Sequence, residues 1–231
     1  MSDDLHDEFW DEHRWEEFLR ASDRRADLVA RLRETYARDH PPPPADAPEE
    51  VHAAWEAGLE EHLARHLGPL ESGDGASPLW PLDEDEPEDG EGWKAGLADI
   101  FPEAQDVEDL PVYRMAYGLG EAVLNWAEAL PEEAKDAVLV DFCHNALQVT
   151  AKLAAGHAFG YEPDMLGGNI AMTKRGLSAA NRALAALRQL KAAPYLRHAD
   201  YLRLYEQGQE VRNAVGLHVQ VLRERFERDL D

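Results

Sequence analysis

Helix formers crowd out strand formers in this chain. Of its 231 residues, 35 are Ala and 29 are Leu, against 12 Val, 2 Ile and 3 Thr. Sheets draw on β-branched side chains that fit a pleated, half-buried surface, whereas Ala and Leu lose little on entering a helix. A sizeable sheet is therefore excluded, and the expected class is all-α. With 44% hydrophobic and 30% charged residues, the chain has ample material for a buried core at this length.

Proline divides the helical chain into lengths. After Leu110, prolines stand at 111, 131, 163 and 194. At the first helical position a proline loses nothing, because its missing N–H would be unpaired anyway. Reading each as a helix start predicts helices over 111–130, 131–159, 163–192 and 195–229. Glu132 and Glu133 suit a positive helix N-terminus, and Gly160 suits a C-terminal stop. Short connections between long helices imply antiparallel neighbours, so 111–230 is expected to form an up-down-up-down four-helix bundle.

Apolar spacing supports those helices. Leu139, Cys143, Ala146, Thr150, Leu153 and His157 alternate by four and three, as do Leu166, Ile170, Thr173, Leu177, Ala180, Leu184 and Leu187. The last helix gives Leu204, Gly208, Val211, Val215, His218 and Leu222. A second row, Gly176, Ala179, Ala183 and Ala186, is small enough for a neighbouring backbone to approach closely.

Upstream, residues 3–39 and 49–67 read as two amphipathic helices split by Pro41 to Pro44 and Pro48. The first carries Trp15, Phe18, Val29, Leu32 and Tyr36, the second Val51, Trp55, Leu59, Leu63 and Leu67. Two such helices cannot bury both apolar rows alone. Three parts are thus expected: a helical hairpin over 1–67, an acidic Pro/Gly-rich linker over 68–92, and a bundle domain over 93–231 with a short helix at 93–101. The linker assignment rests on 83–91, which holds seven acids in nine positions.

Charge is equally uneven. Residues 1–110 hold 9 Lys and Arg against 32 Asp and Glu, while 111–231 hold 14 against 15. A net charge of −24 repels phosphates and anionic lipid, which argues against nucleic acid or a membrane as partner. Against that trend, Lys174, Arg175, Arg182, Arg188, Lys191, Arg197 and Arg203 face only Asp200 between Met165 and Tyr205. They form either a solvated face or a docking surface for an acidic partner, this chain's own N-terminal half included. Cys143 is the lone cysteine, so no internal disulfide forms. An acidic N-terminus and the lack of a long apolar run make the cytoplasm the expected location.

Catalytic signatures are missing from the sequence. Gly118-Leu119-Gly120 lacks both the third glycine and the preceding strand of a dinucleotide fingerprint. No phosphate-binding loop or nucleophile elbow occurs, and Cys143 and His144 point about 100° apart on one helix. A di-iron bundle needs two Glu-x-x-His motifs; the chain offers only Asp141-x-x-His144, with Asp141 on a polar row beside Asn145, Gln148 and Lys152. His62 and His66, four apart, are a weaker metal alternative needing further ligands from elsewhere. The better candidate is a polar layer in the bundle, where His157 and His218 share a level and Tyr113, Tyr117 and Asn169 should arrive. A second layer would join Glu121, Asn125, His144 and Glu210.

These readings lean away from an enzyme and call for no cofactor. The leading expectation is a non-enzymatic helical interaction or scaffold protein that binds a protein partner or itself as a homo-oligomer. The alternative is a bundle that binds a small ligand or metal around His157, His218, Tyr117 and Asn169. A third reading makes the acidic N-terminal half a cover for the basic helix.

Overall fold

The computed structural model describes residues 10–67, 106–131 and 134–230, and it is all-helical over them. The helices are α1 (Glu12–Asp39), α2 (Glu49–Leu67), α3 (Pro111–Glu128), α4 (Ala137–Phe159), α5 (Pro163–Leu190) and α6 (His198–Leu230), with a 3₁₀ turn at Val107–Asp109. No helix among the described residues is long and apolar enough to cross a membrane. The expected acidic linker, 68–92, and the short helix, 93–101, lie outside the described residues.

Local chemistry explains most helix boundaries. Pro111 and Pro163 open α3 and α5 at their first turns. The second helix of the core, however, starts at Ala137 and not at Pro131. Asp136 caps it, its Oδ1 accepting from the Leu139 N–H at 2.9 Å. Pro131 instead begins a turn in which the Ala134 N–H donates to the Pro131 carbonyl. A cap that satisfies an otherwise unpaired donor outweighs proline's tolerance of a helix start. Asp11 caps α1 in the same way, accepting from His13 and Arg14. That helix therefore begins at Glu12, with Trp10 and Asp11 outside it.

The chain divides into two compact units. One holds the described residues 10–16 and 106–230, the other 17–67. In the first, α3 packs on α4 and α6, α4 on α5, and α5 on α6, closing a ring of contacts. Ala116, Val123, Ala146, Val149, Leu187, Leu204 and Val215 lie at its centre. With a rise of ~1.5 Å per residue, the 18-residue α3 spans about 27 Å and the 28-residue α5 about 42 Å. A second, smaller core formed by Leu166, Ile170, Val219 and Leu222 joins the start of α5 to the last third of α6.

The buried face of α4 is offset from the row expected of it. Leu139, Ala146 and Leu153 are buried as expected, but their companions are Phe142, Asn145, Val149 and Gly156. Cys143, Thr150 and His157 are half-buried along the edge. On α5 both expected rows are buried, apart from the half-buried Leu177. The small row does what its size allows: a Cβ on Gly176 would sit 3.6 Å from the Val149 carbonyl oxygen of α4.

The second unit is thinly packed. Between Glu17 and Leu67 only Leu19 is buried, and no residue of α2 is. Tyr36 organises what contact there is. Its ring stacks on His40 and meets Trp55 edge-on, and Gly58 leaves room for its hydroxyl. Trp55 in turn donates from Nε1 to the His40 carbonyl at 2.8 Å.

Candidate functional site

The polar layer gathers around Tyr161, a residue the sequence pattern did not single out. α4 ends at Gly160, whose φ of +92° belongs to glycine, and the chain turns directly into Tyr161. This places the Tyr161 hydroxyl 2.9 Å from His157 Nδ1, with one of the two donating. The Arg225 guanidinium of α6 lies over the Tyr161 ring at 5.5 Å. Burial pushes the Tyr161 phenol up, partly offset by a hydrogen bond with Asn169 and by the Arg225 charge.

Asn169 is 1% exposed and fully engaged. Its Nδ2 donates to the Gly160 carbonyl at 3.0 Å, and its Oδ1 accepts from the Thr173 hydroxyl at 3.2 Å. It thereby holds the end of α4 against α5. His218 stands half-buried on α6 and is held below the ordinary histidine range, first by burial and then by the neighbouring His157. Of the four expected ligand residues, His157 and Asn169 thus meet Tyr161, and His218 lies near enough to His157 for the two to interact electrostatically. Tyr117 is 52% exposed, with its ring paired to Tyr113 at 6.3 Å. Tyr161 and Arg225 carried no periodic signal, because the first sits in a turn and the second at the edge of its helix.

Other expected constellations separate. Glu121, Asn125, His144 and Glu210 are all exposed, so the second layer does not form a buried site. Asn145, expected on a water-facing row, is buried: it donates to the Asp141 carbonyl and carboxylate and accepts from Arg182 Nε at 2.9 Å. Burial pushes the Cys143 thiol up, which lowers its reactivity. His62 and His66 lie with ring centroids 4.4 Å apart, and His66 Nδ1 is bonded to the His62 carbonyl. No group of three His, Cys, Asp or Glu among the described residues is arranged to hold a metal ion.

The strongest electrostatic feature joins residues about 160 apart or more in sequence. Glu12 pairs with Lys174 Nζ at 2.9 Å and with Arg223 Nε at 2.8 Å, and Glu16 pairs with Arg175 Nε at 3.0 Å. The Arg223 guanidinium beside it, helped by Lys174 and opposed by burial, holds the Glu12 carboxyl down at about 2. Two of the seven basic residues between Met165 and Tyr205, Lys174 and Arg175, therefore meet this chain's own N-terminal acids.

An open groove of about 470 Å³ also runs along α5 and α6, lined by Leu177, Arg212, Asn213, Gly216, Leu217 and Gln220 among others. Leu217 is 63% exposed beside it, and Val221 is exposed one turn on. Compared with protein-family models, curated proteins and solved structures, the chain matches none.

Proposed function

We propose that this chain works as a helical interaction protein that associates with a second copy of itself through α2. One observation carries the reading. Val51, Trp55, Leu59, Leu63 and Leu67 recur at helical spacing, yet none is buried: Val51 is exposed and the other four are half-buried. An apolar row left at this level of exposure is stabilised by docking against another apolar face. A second α2 offers that face with the same spacing, and an isologous pairing satisfies both copies at once.

We read the first unit as an up-down-up-down four-helix bundle that carries this surface, with the N-terminal helices as a hairpin. The contact pairs support this, because along each pair of neighbours one residue number rises as the other falls: Gly120 with Leu147 and Trp126 with Phe142, Gly156 with Asn169 and Gly176 with Val149, Asn181 with Arg212 and Leu184 with Gly208. The lone half-buried Cys143 suits a cytoplasmic setting.

Hydrogen exchange on the full chain tests the α2 assignment. Protection over 49–67 should rise with protein concentration while α4 and α5 stay unchanged. Exchange in α2 that is independent of concentration contradicts the proposal.

A second reading takes the His157, Tyr161 and Asn169 cluster, with His218 beside His157, as a ligand layer for a small polar molecule. Native mass spectrometry of untagged protein would then show a removable adduct, lost in His157→Ala and His218→Ala variants of unchanged helicity. A clean protein mass contradicts it.

A further inference from the structure

Along the outer seam of α5 and α6, cations and the open groove follow one register. Arg188 lies over the Tyr205 ring at 6.0 Å, Arg212 Nε donates to Asn181 Oδ1 at 3.3 Å, and Leu177 lines the groove with Gly216. From the first level to the second is seven residues on both helices, and from the second to the third is four. At ~1.5 Å per residue these steps are about 10 Å and about 6 Å. The groove has room for an incoming side chain, since a Cβ on Gly216 would meet nothing within 4 Å. Among the described residues, Arg212 bonds Asn181 and Asn213 and Arg188 meets the tyrosine ring, so neither reaches a carboxylate. Arg223, which also lines the groove, shows what such a cation takes: it holds the Glu12 carboxylate.

The outer face of α3 carries the complement. Tyr117, Glu121 and Glu128 lie four and seven residues apart on one face of the helix, the same steps as Leu177, Asn181 and Arg188 on α5. Tyr117 is 52% exposed, and Leu124 between the two acids is 39% exposed. Both glutamates are exposed, and neither makes an ion pair among the described residues. Laid parallel to α5, such a helix brings a tyrosine over Gly216 and its two carboxylates to Arg212 and Arg188 together. On one molecule this meeting is impossible. Gly120, beside the α3 face, packs on Leu147 of α4, across the ring of helix contacts from the α5–α6 seam. Face and groove therefore meet only between molecules.

We propose that the α3 face of a second copy docks along the α5–α6 groove, Tyr117 entering it while Glu121 and Glu128 pair with Arg212 and Arg188. The contact is heterologous, so copies associate head to tail. It uses neither surface of α2 and does not rest on the pairing proposed there.

Charge reversal in the full-length chain tests the contact. Every protein carries Leu59→Glu and Leu63→Glu to block pairing through α2. Sedimentation velocity at about 20 mM salt, where exposed charges are weakly screened, should show the parent growing in mass with concentration. A Glu121→Arg, Glu128→Arg variant and an Arg188→Glu, Arg212→Glu variant should each associate at least ~10-fold more weakly alone. Mixed in equal amounts they should associate again, because every contact between the two pairs opposite charges. A parent that stays monomeric, or a mixture no heavier than its components, would overturn the proposal and leave the α2 pairing untouched.

Gly216→Gln leaves every charge in place and adds a good helix former. Its side chain occupies the groove, so association should again weaken at least ~10-fold. Association equal to the parent's would overturn the seating of Tyr117.

Discussion

Replacing Trp15 with alanine removes the one large side chain that anchors residues 10–16 to the helices. The indole is 1% exposed, so nearly all of its area is withdrawn from water. An aromatic side chain of this class buries roughly 150–250 Å². At about 25 cal/mol per Å² that corresponds to about 4–6 kcal/mol of transfer energy, an upper figure because denatured chains are partly collapsed. Measured truncations of buried aromatic residues cost about 3–5 kcal/mol, cavity included. The two edge-on ring contacts, to Phe159 and Trp10, sit within that range. For a unit of this size, Trp15→Ala should lower Tm by roughly 10 °C or more. Thermal unfolding followed by circular dichroism at 222 nm measures it, with hydrogen exchange over 10–16 as a local readout. A loss under about 1 kcal/mol, with exchange over 10–16 unchanged, would refute the anchoring role.

Gly160→Ala should destabilise the first unit by about 1–3 kcal/mol in urea titration, because φ +92° with ψ −170° is a region only glycine enters readily. The Glu12 carboxyl is held down at about 2, so its contribution is complete above about pH 4.5 and lost as pH falls through 2; tryptophan fluorescence in an acid titration should show that step, and Glu12→Gln should abolish it. His218 lies below the ordinary histidine range in the folded chain, so unfolding takes up a proton and stability should fall as pH drops below about 6.5. In His218→Gln the same urea titrations should be flatter with pH.

How much of this was legible in the sequence depends on the reach of each interaction. The ends of α2 and the start of α5 follow from local spacing and from Pro163, and both rows of α5 are buried largely as their residue sizes imply. The start of α4 was misplaced because two local signals competed, and the Asp136 cap prevailed over Pro131. Its buried face was offset because Cys143, Thr150 and His157 keep the same rhythm as Phe142, Val149 and Gly156. Periodicity alone cannot choose between adjacent rows. His157, Asn169 and His218 stand out in the sequence as polar residues on or near apolar rows, whereas Tyr161 sits in a turn and carries no such mark. The pairing of Glu12 and Glu16 with Lys174, Arg175 and Arg223 lies beyond any local pattern. Only the opposite charge of the two regions hinted at it.

Sedimentation velocity of the full-length chain over a concentration series, beside a Leu59→Glu, Leu63→Glu variant, tests the central claim most directly. Self-association through α2 predicts that the wild type moves from monomer toward dimer as concentration rises, and that the variant shifts this equilibrium toward monomer by at least ~10-fold. Wild-type protein that stays monomeric throughout, or a variant that associates as well as wild type, would contradict it.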